Sequence, residues 1–268
     1  MLRIGCEGDT PRNRCCRETG LPIDRDNRLT SSNASYDAAG NQMVIAGFLN
    51  TYDAENRLLT STLGGVMTAY TYDGDGRRVQ KATGASTTTY VYDAAGQLAA
   101  EYGAVATPPP CATCYLTADN LGSTRTVTDA SGAVRSLTGC LPSGEEIQSG
   151  VGGQLAPYYP SDALAVADGV TQKLNGKERD VETGLDYFGA RYLSSAPGRW
   201  TSPDWAAAPQ PVPYASLGNP QSLNLRGCLF NNLFRGPDLD GPFVDMLLKP
   251  GRGLVNRGVD EAQMAGAD

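Results

Sequence analysis

The feature that most restricts the fold is a tyrosine–aspartate unit that returns at near-constant spacing. Tyr36-Asp37, Tyr52-Asp53, Tyr72-Asp73 and Tyr92-Asp93 open related stretches 16, 20 and 20 positions apart. Ile23-Asp24-Arg25-Asp26-Asn27-Arg28-Leu29 reads as an eroded earlier copy. A repeat this short is one supersecondary unit that must stack on its neighbours to be stable. In the last copy, Thr87-Thr88-Thr89-Tyr90-Val91-Tyr92 is β-branched and aromatic, which favours an extended strand. Period two places Thr88, Tyr90 and Tyr92 on one face, with Thr89 and Val91 on the other. Thr68, Tyr70 and Tyr72 repeat the pattern one copy earlier. Asp93 then opens a turn through its carboxylate, and Gly96 suits the left-handed position that closes it. Each unit is therefore expected to be a β-hairpin. The fold class expected is all-β: antiparallel hairpin repeats forming a curved or spiral sheet over residues 20–145.

Composition removes whole classes of function. The 268 residues include no histidine, so Ser/His and Cys/His nucleophile pairs and histidine metal sites are excluded. The net charge of −7 and scattered basic residues, 18 of the 22 being Arg, argue against a nucleic-acid partner. The first seven residues hold no apolar core segment, so no signal peptide is read there, and no stretch approaches the roughly 20 apolar residues of a membrane span. Cys111-Ala112-Thr113-Cys114 is the one CxxC among seven cysteines. It follows Pro108-Pro109-Pro110 and lacks a second matching pair, so the expectation is thiols in a loop, with no metal and no cofactor.

Further along, Asp119-Asn120-Leu121-Gly122-Ser123-Thr124-Arg125 leads from a turn into a strand, and Asp129-Ala130-Ser131-Gly132 makes another turn of the same kind. Then come Gly184-Leu185-Asp186-Tyr187-Phe188-Gly189-Ala190-Arg191-Tyr192, Gly198-Arg199-Trp200-Thr201-Ser202-Pro203-Asp204 and Asn219-Pro220-Gln221-Ser222-Leu223-Asn224-Leu225. In this order they resemble the RHS repeat-associated core domain that follows YD repeats, and the resemblance covers roughly residues 23–241. It divides the chain into an irregular start (1–20), a YD-repeat hairpin region (21–148), an irregular linker (149–173), the core domain (174–241) and a short variable tail (242–268). Only 27 residues follow Gly241, fewer than the about 50 a folding domain needs, so no toxin domain is expected there.

The resemblance implies a bacterial toxin-delivery protein whose repeats wind into a hollow shell around a carboxy-terminal toxin. It implies as partners a toxin cargo or the rest of a longer shell, with an immunity protein or secretion-system component. It also implies a secreted or cell-surface location; without a signal peptide, the chain expressed alone is expected in the cytoplasm. The chain reads as a truncated remnant of such a shell. Many members release their toxin with an aspartyl self-protease built on two Asp-Pro-x-Gly motifs. The matching positions here are Asp204, followed by Trp205, and Asp238-Leu239-Asp240-Gly241, with Asp240 as substitute for Asp238. Both prolines are missing, and the Asn224-Leu225-Arg226-Gly227-Cys228 stretch lacks the family's aromatic residue. Two carboxylates sharing a proton could activate water, but loss of the motif leads to the expectation that Pro242 through Asp268 stay attached. Exposed rings would also offer a carbohydrate-binding surface. The strict repeat position of Tyr70, Tyr72, Tyr90 and Tyr92 favours cross-strand ladders instead.

Overall fold

The computed structural model describes residues 22–30, 34–94, 96, 98–103, 111–154, 156–159, 169–204 and 224–227. Seven strands pair in chain order in one antiparallel sheet: β1 (Val44–Ile45), β2 (Phe48–Tyr52), β3 (Leu58–Leu63), β4 (Val66–Tyr72), β5 (Arg78–Thr83), β6 (Ser86–Tyr92) and β7 (Leu98–Gly103). A second sheet holds β8 (Cys114–Ala118), β9 (Thr124–Asp129) and β10 (Val134–Leu137). A third holds β11 (Glu178–Arg179), β12 (Leu185–Tyr187), β13 (Tyr192–Ser194) and β14 (Arg199–Trp200). The only helix among the described residues is the short 3-10 turn Leu174–Gly176. The fold is all-β and antiparallel, as the repeats predict, but the hairpins do not run as one sheet to residue 145: pairing stops at β7 and restarts at β8.

Two kinds of turn alternate along the large sheet. Two-residue turns join Ile45 to Phe48, Leu63 to Val66 and Thr83 to Ser86. At the other end of each hairpin an aspartate closes the chain. Asp53 Oδ1 accepts the N–H groups of Glu55 and Arg57, both at 2.9 Å, and Asp73 Oδ1 accepts those of Asp75 and Arg77 at 3.0 and 2.8 Å. The third residue after the aspartate is left-handed, Asn56 at φ 61° and Gly76 at φ 80°, which explains the Gly or Asn found there. The same backbone turn recurs without aspartate: the Leu141 N–H donates to the Glu145 carbonyl at 2.8 Å, and the Lys173 N–H to the Lys177 carbonyl at 2.9 Å. The repeat thus continues past the point where its side chains are recognisable.

Each aspartate turn is preceded by a β-bulge. Thr71 faces Gln80, yet Tyr72 faces Arg78, so one residue of β5 is left over, and the same slip follows Thr51 and Val91. A bulge shifts the alternation by one place. It therefore turns Arg78 and Lys81, three apart, onto the same inner face as Tyr70. Alternation on β6 is as expected, with Tyr90 buried and Thr89 and Val91 exposed. The tyrosines only partly form the expected ladders. Tyr72 and Tyr92 hydroxyls donate to the carbonyls of Leu58 and Arg78, each at 2.8 Å, while Tyr70 and Tyr90 reach across to the third sheet. The apolar core lies at that meeting: Ile45, Leu58 and Tyr70 pack with Leu185, Tyr187 and Tyr192. A smaller cluster of Leu174, Phe188, Leu193 and Trp200 holds the third sheet's other side.

Cys111 and Cys114 correct the expectation of loop thiols. They are joined as a disulfide, because the bend before β8 brings their Cα atoms to 5.4 Å, within the span a disulfide bridges.

Candidate functional site

Of the carboxylates singled out by sequence, one falls among the described residues. Asp204 follows β14, and its N–H donates to the Leu225 carbonyl at 2.8 Å. Its carboxylate, 8% exposed, accepts a bond from Arg191 Nη2 at 3.2 Å. The Arg191 guanidinium in turn lies 4.2 Å from the centre of the Trp200 ring. Asp204 borders a hollow of about 510 Å3 shared with Arg25, Asn27, Arg28, Gly40 and Arg226. Asp238 and Asp240 lie outside the described residues.

A denser cluster, missed in the sequence, lies where β11 crosses the inner face of the large sheet. Arg78 is fully buried. Its Nη1 donates to Asp180 Oδ1 at 2.8 Å and to the Tyr192 hydroxyl at 3.0 Å, and its Nη2 pairs with Glu178. The rings of Tyr187 and Tyr90 flank the guanidinium at 4.4 and 4.5 Å. Lys81 Nζ sits 3.0 Å from Glu182, 3.4 Å from Glu178 and 3.5 Å from Asp180. Tyr70 and Tyr90 hydroxyls complete the carboxylates of Asp180 and Glu178, both at 2.8 Å.

Charge balance keeps Asp180 and Lys81 ionised. Burial alone would raise the Asp180 carboxyl, but Arg78 and then Lys81 outweigh it and hold it below its ordinary value. Burial likewise opposes the charge on Lys81, and the three carboxylates around it overcome that and raise it. Burial, with Asp180 beside it, pushes the Tyr70 hydroxyl well above its usual range, so it remains a donor. The arrangement is closed to solvent and its carboxylates are engaged by cations and hydroxyls. It is suited to fastening two sheets rather than to turning over a substrate.

Strand β11 has a second side. Between Glu178 and Asp180, Arg179 points the opposite way and grips Asp186 with Nε and Nη2, both at 2.8 Å. It also donates to Glu146 at 3.2 Å and to the Gly144 carbonyl at 2.8 Å. Consecutive residues of one short strand thus bind the repeat sheet on one side and the 141–146 turn on the other. The sequence signal for this junction was present: Arg78 stands where the neighbouring copies carry Leu58 and Leu98, and Lys81 where they carry Ser61 and Glu101. The carbohydrate reading loses its basis at Tyr70 and Tyr90, which are 3% and 4% exposed. Among the described residues no group of His, Cys, Asp or Glu could hold a metal ion, and no helix is long and apolar enough to cross a membrane.

No protein-family model and no curated protein matches the chain. Solved structures do. The TcdB2-TccC3-TEV structure is 22% identical with a TM-score of 0.54, over 77% of this chain and 11% of that one. TcdB2-TccC3 without its hypervariable C-terminal region gives the same values. A Tc holotoxin pore of Photorhabdus luminescens is 21% identical with a TM-score of 0.56, over 83% of this chain and 12% of that one. The chain therefore spans only about an eighth or less of the length of these neighbours. At this identity the likeness is one of fold: most of this chain shares the antiparallel β arrangement of a segment of the Tc toxin chains.

Proposed function

We propose that this chain is a structural segment of an RHS-type toxin shell, fastening a core-domain sheet to the inner face of the last hairpin repeats. The observation that carries this reading is the junction at Arg78 and Lys81. The neighbouring copies carry Leu58 and Leu98, and Ser61 and Glu101, at these positions, so the cation pair is particular to this copy. It matches Glu178 of the third sheet and Asp180 and Glu182 of the turn that follows β11. The sequence motifs and the shared fold support placing that junction in a shell around a toxin cargo. Secretion or cell-surface display, and an immunity protein, belong to the same proposal.

The role is structural rather than hydrolytic. Asp204 and Asp238, with Asp240 as substitute, are the positions a self-protease would use, and they are expected to be silent. Extended at its amino end by further hairpin repeats and at its carboxy end by a reporter carrying a protease site, the chain should shield that site from added protease until urea is present. The intact mass of the unextended chain should keep all 27 residues after Gly241. Equal cleavage of the reporter in native and unfolded protein would remove the enclosing role. A product shorter by those 27 residues, abolished by Asp204→Asn, would make the chain a hydrolase.

A further inference from the structure

We propose that the hollow between the 24–28 turn and residues 203–204 and 225–226 is a binding site for a dianionic phosphate group, held by Arg28 and Arg226, with Arg199 adding positive charge beside Arg226.

The cavity measures about 510 Å3, in the range of small-molecule sites, and its lining includes Arg25, Arg28, Gly40, Pro203 and Arg226. Arg28 and Arg226 converge on Gly40: a β-carbon built there would lie 3.6 Å from Arg28 Nη2 and 3.0 Å from Arg226 Nη2. Arg226 is 4% exposed, and its Nη1 is buried with no hydrogen-bond partner. Its other nitrogen, Nη2, bonds only the Gly40 carbonyl. Arg199 spends one bond on the Asn27 carbonyl, and the Arg28 guanidinium makes only a ring contact, 5.6 Å from the centre of Tyr36. Arg226 covers the same ring at 4.8 Å.

The contrast with the rest of the chain is the argument. Arg57, Arg78, Arg125, Arg135, Arg179 and Arg191 each hold a carboxylate. Among the described residues, Arg28, Arg199 and Arg226 hold none, and neither does the exposed Arg25. Of the two acidic residues in the lining, Asp204 is paired with Arg191 and Asp26 is exposed. Buried guanidinium groups are normally paired, because an uncompensated charge out of water is costly. Burial lowers Arg226 and Arg199 from their ordinary values, and for Arg226 the neighbouring Arg199 and Arg28 add repulsion. An anion in the hollow would supply the missing charge and the acceptor for Arg226 Nη1. A phosphate group fits better than a carboxylate, since it carries two charges and enough oxygens to take several guanidinium forks at once.

Calorimetric titration of the purified chain, at constant ionic strength in chloride, tests this with inorganic phosphate, phenyl phosphate and succinate. Saturable binding of at least one phosphate probe is expected, with succinate at least about tenfold weaker. Arg28→Gln and Arg226→Gln should each weaken it by about tenfold or more, while Arg77→Gln, outside the lining of the hollow, should not. Arg28→Gln removes no hydrogen bond of the fold, so it decides the matter should Arg226→Gln unfold. Tighter binding of phenyl phosphate identifies a phosphomonoester, and tighter binding of inorganic phosphate the free ion. Absent saturation, unchanged affinity in Arg28→Gln, or succinate binding as tightly as phosphate would overturn the proposal.

Discussion

A guanidinium with no exposed surface survives in a protein only where carboxylates and ring faces replace its water, and Arg78 has both. Its surroundings were built for the charge: without it, Asp180 and Glu178 would be left buried with only Lys81 and two tyrosine hydroxyls. Arg78→Leu restores the residue of the neighbouring copies and is nevertheless expected to destabilise the chain by about 3–5 kcal/mol, read from urea unfolding. Adding Glu178→Gln and Asp180→Asn should recover part of that loss, because the stranded charges go with the cation. If Arg78→Leu alone unfolds at the same urea concentration as the parent, the junction contributes nothing to stability and its role in fastening the sheets fails.

At the level of the elements, the turns were legible and the bulges were not. Asp-x-x-Gly and Asp-x-x-Asn state their own conformation, since the aspartate bonds the backbone ahead of it and the third residue must be left-handed. Gly76→Ala forces a β-carbon into φ 80° and should cost about 1–2 kcal/mol. Gly74→Ala, two residues earlier, meets nothing within 4 Å and has no left-handed backbone, so its effect should stay within about 0.5 kcal/mol. Thermal unfolding of the two variants separates the position of this turn that needs its glycine from the one that merely holds one. The bulges leave no such mark. Strict alternation from Tyr72 back along β5 assigns Arg78 and Lys81 to opposite faces, whereas the slipped pairing puts both inside. Hence the repeat, its strands and the face shared by Tyr90 and Tyr92 could be read from sequence, whereas the ionic junction showed only its basic half, as an Arg78 out of step with Leu58 and Leu98. Its acidic half lies about 100 positions downstream, and no local pattern announces it. Asp204 was found through a motif; Arg28, Arg199 and Arg226 also stand inside quoted stretches, but nothing in those stretches marks them as a group, and they became visible only through their missing partners.

For the whole molecule, the two faces of β11 make opposite predictions about pH. Asp180, facing the repeat sheet, is held below its ordinary value of 3.8 by Arg78 and Lys81 against the effect of burial. A carboxyl lowered by folding stabilises the folded state fully above its unfolded value, and that contribution is lost as pH falls through the folded value. Asp186, facing Arg179, is pushed up to about 6, chiefly by burial, with Glu146 and Asp180 adding to the rise. A carboxyl raised by folding has the reverse sign: its contribution is present below the ordinary value and is lost as pH rises through about 6. Unfolding free energy measured across pH should therefore fall as pH drops below about 3.8 through Asp180, and decline as pH rises from about 3.8 to about 6 through Asp186, with no further loss from that group at higher pH. Asp180→Asn should flatten the acid slope and leave the upper one, and Asp186→Asn should do the opposite, whatever each does to the absolute stability. The slope is the useful quantity, since a variant that merely loosens packing lowers the curve without changing where it bends. Unchanged slopes in both variants would mean that β11 does not couple protonation to the joining of the sheets, and that the junction is held by its rings and apolar contacts alone.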